Sequence, residues 1–475
     1  MNLFLPRITI AALRGGSGKT IVSLGLISLW KDMGLSVTPF KKGPDFIDAG
    51  WLSFAASTPC YNLDPFLMTE DQIISSFLKY TKNTDFALIE GNRGLFDGVN
   101  IEGTCSTAEL AKTLASPVLL VVDATMVTRT TAALVKGCQS FDPDLSIAGI
   151  VINRVATGRQ EKLIRQTIEH YCDIPVVGAI PRKKENPFPE RHMGLVPHHE
   201  RALAKKAIDW TRNLVRNQLD AEKILEIMKG AGPISPQATL PEDSEGLKIL
   251  NGRRPKVGVI KDSVFWFYYP ENLAGLHDFG AELIEINSIQ SPSLPDIDAL
   301  YVGGGFPETQ AEALAENLGF REDLRKAIER GLPVYAECGG FMFLGKELLI
   351  GGKTFPMAGA LPVSFALERK PQGHGYTILE TVNQNPYYRP GEILKGHEFH
   401  YSRPILARDA ALEPVFRVLR GNGIDGMNDG LQKKNLLATY THIHAGGNPD
   451  WAKRILKVAK AFNAQKKFWE SEKRN

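Results

Sequence analysis

The sequence predicts an α/β protein of two domains, in which a doubly wound parallel sheet is followed by a second α/β domain. Strand-length apolar runs alternate with helix-length segments over residues 7–179, which is typical of a parallel sheet covered by helices. A glycine-rich turn, GGSGKT at residues 15–20, joins the first run to a helix. The alternation starts again after residue 255, and 475 residues are too many for one hydrophobic core.

Strands of the first domain are predicted at residues 8–13, 36–40, 86–90, 118–123, 147–152 and 176–180. Each is a short, mainly apolar run, as expected for strands that are covered on both faces. An amphipathic helix is predicted over residues 200–229, because its polar and apolar residues alternate with helical spacing. The first domain is therefore expected to span residues 1–230.

Residues 231–254 are rich in proline, glycine and charge, which predicts a linker. Strands are predicted after it at residues 256–260, 282–286, 299–302 and 333–336, within a second domain at 255–448. Residues 449–475 read as a C-terminal helix with a basic tail.

Composition favours a cytoplasmic protein that acts on small molecules. The formal net charge is +3, and the basic residues form no strong cluster, so we expect no nucleic-acid partner. There is no leader segment and no run of about 18 apolar residues, so we expect no membrane partner. An odd number of cysteines, five, without CxxC pairs favours a reducing compartment. A homodimer is possible.

The GGSGKT turn predicts a site for a nucleoside triphosphate such as ATP. Backbone N–H groups of a glycine turn and of a helix N-terminus surround an oligophosphate, and a lysine adds a positive charge. A chance glycine turn is disfavoured because strand and helix signals agree on either side of it. The predicted ATP-binding residues are Gly15, Gly16, Ser17, Gly18, Lys19 and Thr20.

Carboxylates follow two of the predicted strands. Asp45 and Asp48 lie in KKGPDFID, and Glu90 ends a strand that runs into a glycine-rich loop containing Asp97. Doubly wound folds bind ligands at the carboxyl ends of their strands, so these side chains could converge beside Thr20. We expect Thr20, Asp45 and Glu90 to hold the Mg²⁺ of ATP, and Asp48 and Asp97 to position the acceptor. Any one of these aspartates could instead cap a turn.

Three polar residues close in sequence to these loops have alternative interpretations. Asn153 ends the strand of VINRV, where it could read a base edge of ATP or cap a turn. Arg93 and Arg14 are positive charges near the phosphate loop. They could contact phosphate or the carboxylates of a substrate, or they could pair with acidic residues of the loops.

The segment VYAECGGFMFLG predicts a cysteine nucleophile. Cys338 stands between a strand and an apolar helix, on a turn of the nucleophile-elbow type, where the helix dipole is expected to lower the thiol pKa. The N–H of Gly339, and that of Gly305 in the turn VGGGFPE, could hold an oxyanion. The alternative is a buried structural cysteine.

The general base for Cys338 is expected from THIHAGG near the end of the second domain. His442 and His444 alternate along a predicted strand at residues 439–443, so both imidazoles should lie on one face.

The chain resembles the cobyrinate a,c-diamide synthase family over nearly its whole length. The resemblance is carried by the phosphate loop and by the segments KKGPDFID, IEGNRGLFDG, STAELAK, PERHMGLVP, ECGGFMFLG and THIHAGGNP. That family joins an ATP-dependent synthetase domain, similar to dethiobiotin synthetase, to a glutamine amidotransferase domain. The resemblance implies a ligase whose substrates are ATP, glutamine and a tetrapyrrole polycarboxylate. It further implies that acetate arms of a corrin-type macrocycle are phosphorylated and then amidated by ammonia from glutamine.

The resemblance also implies residue roles. Cys338 matches the nucleophile of the family and His442 the histidine that activates it. Related triad enzymes carry an acid two residues after that histidine; here this position holds His444, so a Cys/His dyad with a supporting His444 is expected, without a third member. Lys19, Thr20, Asp45, Asp48, Glu90 and Asp97 fall on motif positions of the synthetase domain.

Departures from the family pattern keep alternatives open. The loop reads ALRGGSGKT, and Arg93 precedes GLFDG, so the same amidation of sirohydrochlorin or a sirohaem-type tetrapyrrole is an alternative. Arg93 is accordingly included among the substrate-binding candidates. A switch ATPase with a deviant phosphate loop would leave Cys338 unexplained, and a dethiobiotin-type carboxylating enzyme would leave the second domain unexplained. The role of His192, in PERHMGLVP, cannot be derived.

Overall fold

The structure, a computed structural model, describes residues 4–183, 188, 201–234, 254–406 and 413–472. The chain forms two compact units, residues 1–240 and 241–475. Most of the predicted linker, and the segment PERHMGLVP with His192, lie outside the described residues. The predicted domain limits at residues 230 and 254 therefore stay predictions.

The first unit is built on a seven-stranded sheet with the order β3-β2-β4-β1-β5-β6-β7. All of its neighbouring strands are parallel. The chain leaves β1 in the middle of the sheet and builds outward on both sides, which is the doubly wound arrangement. The strands are β1 Arg7–Ala12, β2 Val37–Lys42, β3 Tyr61–Leu63, β4 Phe86–Glu90, β5 Val118–Asp123, β6 Ile147–Val155 and β7 Val176–Pro181.

Helices cover this sheet on both faces, in two hydrophobic clusters. One cluster includes Ile8, Val22 and Trp30, and the other includes Leu120, Val135 and Ile164. The helices are α1 Lys19–Asp32, α2 Ile47–Ala56, α3 Glu70–Tyr80, α4 Thr107–Thr113, α5 Thr130–Phe141, α6 Gly158–Cys172, α7 Arg201–Gln218 and α8 Ala221–Lys229.

The prediction of one helix over residues 200–229 is wrong, because the chain makes two helices there. Leu219 forms an isolated bridge with Gly178, next to β7. The carboxylate of Asp220 then accepts a hydrogen bond from the Lys223 N–H at 2.9 Å and begins α8. The six predicted strands are present, whereas the three-residue strand β3 was not predicted.

The second unit contains a ten-stranded sheet with the order β10-β8-β11-β13-β22-β21-β20-β17-β18-β23. The first five strands in this order, from β10 to β22, are parallel to one another. From β22 onward, each neighbouring pair is antiparallel. The strands are β8 Lys256–Ile260, β10 Glu282–Ile286, β11 Ala299–Val302, β13 Val334–Glu337, β17 Gly373–Thr381, β18 Ile393–His400, β20 Pro414–Arg420, β21 Asn428–Lys433, β22 Leu436–Thr439 and β23 His442–Ile443.

Smaller sheets and five α-helices complete the second unit as it is described. A two-stranded sheet pairs β9 Phe265–Phe267 with β12 Gly304–Gly305, and a four-stranded sheet contains β14 Glu347–Ile350, β15 Lys353–Pro356, β16 Val363–Leu367 and β19 Ser402–Leu406. The helices are α9 Pro270–Asp278, α10 Ala311–Glu316, α11 Leu318–Glu329, α12 Gly339–Leu344 and α13 Trp451–Glu472.

The predicted strand at residues 439–443 is wrong as a single element. β22 ends at Thr439, and the chain resumes at His442 beside a different strand, β18. The buried carboxylate of Asp429 accepts hydrogen bonds from the Thr439 hydroxyl at 2.6 Å and from the Thr441 N–H at 3.2 Å. These bonds hold the turn that carries His442 away from the parallel part of the sheet.

The five cysteines are free thiols. Among the residues that the structure describes, no helix combines the length and apolar character needed to cross a bilayer.

Candidate active site

The phosphate loop joins the end of β1 to the start of α1. Gly18 precedes the helix in a left-handed conformation, with φ of 102°, and no side-chain hydrogen bond caps the helix there. The N-terminal N–H groups of α1 are therefore available to an anion. The ammonium of Lys19 is buried and donates to the Arg93 carbonyl at 2.8 Å. Burial, and next the charge of Lys41, lower the pKa of Lys19.

Asn153 supports the phosphate loop from β6. Its Nδ2 donates to the Ser17 carbonyl at 2.7 Å, and its Oδ1 accepts from the Arg154 N–H at 2.8 Å. A Cβ on Gly18 would lie 2.2 Å from Nδ2, so only glycine fits there. Asn153 thus supports the turn of the phosphate loop, and its contact with the base of ATP stays a prediction. Arg14 follows the pairing interpretation, because its guanidinium binds the Asp123 carboxylate at 2.9 Å.

A buried lysine that the sequence analysis missed gathers the acids of this site. Lys41 is the penultimate residue of β2, and its Nζ contacts Asp48 Oδ2 at 2.6 Å and Glu90 Oε1 at 2.7 Å. Burial would lower the pKa of Lys41, but the carboxylates of Asp48 and Glu90 outweigh it and raise that pKa well above its ordinary value. The available signal was a lysine pair inside a buried strand, directly before the acidic segment.

Asp45 and Asp48 have opposite electrostatics. Burial, and next the charge of Asp48, raise the pKa of Asp45 to about 7. Burial also acts to raise the pKa of Asp48, but the Lys41 ammonium outweighs it and lowers that pKa below its ordinary value. At neutral pH, Asp48 is therefore ionised, and Asp45 holds its proton more tightly than an ordinary aspartate does.

Oxygen atoms beside Thr20 are available to the magnesium ion of ATP, although the described residues contain no group of three or more acids, histidines or cysteines placed to hold a metal ion. The Thr20 hydroxyl donates to Glu90 Oε1 at 3.1 Å. The other oxygen of Glu90 is buried and has no hydrogen-bond partner among the described residues. A buried carboxylate oxygen without a donor, beside a hydroxyl and Asp45, is the oxygen-rich environment that Mg²⁺ prefers.

Asp97 and Arg93 belong to the loop after β4. Asp97 makes no direct ion pair with Lys41, unlike Asp48 and Glu90. Asp97 Oδ2 accepts from the Gly94 N–H at 2.8 Å and so orders the loop. Arg93 has φ of 51°, an unusual value for a residue with a side chain, and its side chain is exposed. Of the four acids expected to converge beside Thr20, Glu90 contacts its hydroxyl, Asp48 joins Glu90 through Lys41, Asp45 lies next to Asp48, and Asp97 stays within its own loop.

A cavity of 660 Å³ lies over the phosphate loop. Its volume is in the ordinary range for a small-molecule site. Trp210 of α7 and Pro181 of β7 form part of the wall, which the sequence did not indicate. Of the predicted site residues, the cavity is lined by Gly15, Gly16, Gly18, Lys19, Thr20, Asp48, Arg93 and Asn153.

Cys338 stands on a strained turn between β13 and α12. Its φ of 50° and ψ of −105° are outside the regions that ordinary residues adopt, which costs on the order of 1–3 kcal/mol. The geometry is that of a nucleophile elbow. The thiol is buried, with 3% of the residue exposed, and faces the Phe399 carbonyl at 3.6 Å.

The expectation that the helix dipole lowers the thiol pKa is wrong for this structure. Burial, and next the nearby carboxyl of Glu308, raise the pKa of Cys338 above its ordinary value, although a hydrogen bond from the Gly339 N–H opposes them. Burial also raises the pKa of Glu308, to about 7. The thiol is therefore neutral in the free protein, and α12, only six residues long, is too weak a dipole to ionise it.

Backbone amides meet next to the thiol. A Cβ built on Gly339 would lie 2.9 Å from the Gly305 nitrogen, so β12 packs directly on the first turn of α12. The imidazole of His442 lies against the same strand, because a Cβ on Gly304 would be 2.4 Å from its Cε1. Strand β12 thus contacts both the turn of Cys338, through Gly305, and the imidazole of His442, through Gly304, and the catalytic roles of Gly305, Gly339 and His442 stay predictions.

The two histidines of THIHAGG pair with different carboxylates. Nδ1 of His442 is 3.5 Å from Glu337 Oε2, and Nε2 of His444 is 3.5 Å from Glu271 Oε1. The ring of His442 stacks on His397, with centroids 4.8 Å apart. Glu337, which directly precedes the nucleophile, is a second residue that the sequence analysis missed, because its partner lies far along the chain.

Comparison with known proteins agrees with this arrangement of two sites. Residues 8–196 match the family model for a CobQ/CobB/MinD/ParA nucleotide binding domain, and residues 256–450 match that for a CobB/CobQ-like glutamine amidotransferase domain. The chain is 42% identical to cobyrinate a,c-diamide synthase of Magnetococcus marinus, over 94% of this chain and 96% of that protein. The chain belongs to the cobyrinate a,c-diamide synthase family.

A second member of the family, cobyrinate a,c-diamide synthase of Archaeoglobus fulgidus, is 39% identical over 96% of this chain and 98% of its own. The likeness covers both units, so the chain is a ligase with a nucleotide-binding unit and a glutamine amidotransferase unit. Membership in this family does not favour the switch ATPase.

Proposed function

We propose that this ligase amidates the a- and c-acetate carboxylates of cobyrinate, or of hydrogenobyrinate, with ATP and glutamine. The observation that carries the proposal is that one chain holds both a phosphate-loop cavity lined by Lys19 and Asp48 and a strained, buried cysteine, Cys338, on a turn that contacts the same strand as His442. Activating a carboxylate requires the first site, and releasing ammonia from an amide requires the second. The name of the relatives supports the macrocycle as the substrate.

In the synthetase unit, ATP occupies the cavity with its phosphates on the loop and on Lys19. A substrate carboxylate oxygen attacks the γ-phosphorus of ATP, and the bond between that phosphorus and the β-phosphate oxygen breaks. The products are an acyl phosphate on the substrate and ADP, which departs. Lys19 must exchange the Arg93 carbonyl for phosphate oxygens when ATP binds. Mg²⁺, held by Thr20, Asp45 and Glu90, would neutralise phosphate charge.

The substrate is bound by residues of the two acidic loops. The exposed guanidinium of Arg93 attracts a peripheral carboxylate, and Asp97 fixes the loop that presents it. Asp48, held ionised by Lys41, lies on the wall of the ATP cavity, where it orients the incoming ammonia. Ammonia attacks the acyl carbon, loses a proton, and displaces phosphate to give the amide. The sequence repeats at the second acetate.

In the amidotransferase unit, His442 takes the proton of Cys338 as the sulfur attacks the amide carbon of glutamine. The N–H groups of Gly305 and Gly339 hold the oxyanion, and protonation by His442 releases ammonia. Water then hydrolyses the thioester to glutamate and restores the thiol. A buried, neutral thiol agrees with this order, because it reacts only when its base is engaged.

The test is amidation by the purified enzyme with ATP, Mg²⁺ and glutamine, with cobyrinate and sirohydrochlorin offered in separate reactions and products weighed by mass spectrometry. Two added amides on cobyrinate are expected. Amidation of sirohydrochlorin alone would keep the mechanism and replace the substrate. ATP hydrolysis without amide formation on either compound would overturn the proposal.

A further inference from the structure

We propose that Glu337 completes a Cys338–His442–Glu337 triad, as the residue that positions and polarises the histidine. The inference rests on the proposed role of Cys338 and His442 in glutamine hydrolysis. The acid of such a triad ordinarily comes from elsewhere in the chain than the position next to the nucleophile. Here, the last residue of β13 supplies the acid, and the next residue supplies the thiol.

The carboxylate of Glu337 is fixed and enclosed. Residue Glu337 is 1% exposed. Its Oε2 accepts from the Tyr301 hydroxyl at 2.9 Å, and its Oε1 accepts from the Ile443 N–H at 3.0 Å. Because Ile443 follows His442, the same carboxylate holds the backbone beside the imidazole and faces the ring itself, with Oε2 3.5 Å from Nδ1.

This arrangement selects the tautomer that a base requires. A carboxylate facing Nδ1 places the imidazole proton on Nδ1, so that Nε2 is the nitrogen that can accept a proton. The Nε2 edge lies over Gly304, 3.1 Å from where a Cβ would be. Strand β12, which contains Gly304, also packs on the turn that carries Cys338, so the Nε2 edge of His442 and that turn contact the same two-residue strand.

His444 has the opposite arrangement, although its distance to a carboxylate is the same. Its Nδ1 accepts a hydrogen bond from the Gly446 N–H at 3.1 Å, which places the proton on Nε2, the atom that faces Glu271. Neither nitrogen then offers a lone pair to a thiol. The pair of His444 and Glu271 is therefore structural, and His442 is the histidine that can act as a base.

The other titratable groups around His442 do not replace Glu337. His397 stacks on the His442 ring, and its Nδ1 lies 3.0 Å from the Tyr269 hydroxyl. Burial, and next the charge of His442, lower the pKa of His397 well below its ordinary value, so it stays neutral. Glu308 and Glu398 act on Cys338, and His444 and His374 act on His397 in the same direction as His442.

The experiment compares Glu337→Gln with Tyr301→Phe and Glu271→Gln, and measures glutaminase activity against pH in the full-length enzyme. Glu337→Gln should lower kcat by roughly 10²- to 10⁴-fold, as expected when a base loses its orienting acid. KM for glutamine should change less than about threefold, because the buried carboxylate positions the base and does not bind substrate. The acidic limb of its pH–rate profile should move to lower pH, because a carboxylate favours the protonated imidazole.

The two comparison variants separate positioning from architecture. Tyr301→Phe removes the hydroxyl that donates to the same oxygen of Glu337, and Glu271→Gln removes the carboxylate that faces His444. Both should cost less than about tenfold in kcat and leave the acidic limb in place. Glu337→Asp should recover part of the activity. An unshifted pH profile in Glu337→Gln, or a greater loss in Glu271→Gln, would overturn the inference.

Further variants distinguish a failure of the proposed glutaminase site from a failure of the triad alone. If Cys338→Ala and His442→Ala keep glutaminase activity, the Cys/His site itself is wrong. If they lose it while Glu337→Gln keeps it, only the triad is wrong. Circular dichroism and ammonia-dependent amidation show that each variant remains folded.

Discussion

The two units contain buried polar clusters of opposite character. In the first unit, Lys41, Asp48 and Glu90 are in direct ionic contact, and the lysine pKa is raised. In the second, the thiol pKa of Cys338 is raised and the pKa of His397 is lowered, both first of all by burial, so both groups are neutral. The site of the first unit holds ionised side chains before any substrate binds. At the site of the second unit, the charged thiolate must form during the reaction.

The difference follows from what each site receives. A triphosphate with its metal ion brings large charges, and fixed ions on the protein side balance them without reorganisation. Glutamine brings a neutral amide, and a permanently ionised thiolate would have to stay desolvated between turnovers. At the second site, charge therefore appears only when the proton of the thiol moves.

Cys338→Ala gives the largest expected effect and tests whether the neutral site serves glutamine alone. Glutaminase activity and glutamine-dependent amidation should fall by roughly 10⁴-fold or more, because no thioester can form. Amidation from added ammonia should persist, since the acyl phosphate is made in the other unit. Cys172→Ala is the matched control: Cys172 is also buried, with a pKa raised by burial, but it lies in α6. Loss of ammonia-dependent amidation in Cys338→Ala would show that the comparison is wrong.

Lys19→Ala should have the reciprocal effect at the charged site. ATP-dependent amidation should fall by roughly 10³-fold with either nitrogen source, because the phosphate charge loses its mobile cation. Glutamine hydrolysis alone, measured without ATP, should be unchanged. Lys31→Ala, in the last turn of the same helix, controls for charge and helix content and should keep amidation. Amidation at a normal rate in Lys19→Ala would mean that the loop does not bind the transferred phosphate.

The sequence was sufficient where an element is defined by neighbouring residues. The apolar runs at residues 86–90 and 118–123 are strands with those limits, and the elbow at Cys338 is present. The sequence was insufficient where the limits of an element depend on residues that are distant along the chain. The predicted strand through His442 is broken by Asp429, which gathers hydrogen bonds from the residues at the turn. Such partners are invisible in a local pattern.

The same reason explains which site residues were found. The phosphate loop and the CGG turn carry their chemistry in consecutive residues. Lys41 and Glu337 become functional candidates only through partners on other strands, Glu90 of β4 and His442 of β23. The thiol pKa was predicted in the wrong direction because burial, a property of the whole unit, outweighs the local helix dipole.

Adjacent lysines of β2 test whether the ions of the first unit stabilise the fold. The raised pKa of Lys41 means that the folded environment favours its ammonium at neutral pH, so Lys41→Met should destabilise by about 3–5 kcal/mol, as when one partner of a buried ion pair is removed. Burial lowers the pKa of Lys42, although Asp64 opposes it, so its ammonium is disfavoured. Lys42→Met should change stability by less than about 1 kcal/mol. Calorimetric unfolding at pH 7 measures both, and equal losses would contradict the assignment.

Asp45→Asn should change stability with a distinctive dependence on pH. The folded-state pKa of Asp45 is about 7, above its unfolded value of about 3.9. The folded state therefore binds more protons between these pH values, and stability falls as pH rises from about 4 to about 7. Asparagine cannot ionise and can still accept from the Asp48 N–H at 2.9 Å. The variant should thus melt higher than the natural protein at pH 8, with little difference near pH 4.

Asp48→Asn is the matched control for Asp45→Asn, because its pKa is shifted the other way. The ionised Asp48 stabilises the fold through Lys41, a contribution present above its unfolded pKa and lost as pH falls through the lower folded value. That variant should melt lower than the natural protein at pH 8. If Asp45 holds Mg²⁺, the rise in melting temperature caused by Mg²⁺ and ATP should also shrink in Asp45→Asn. A lower melting point of Asp45→Asn at pH 8 would show that its charge is already compensated in the free protein.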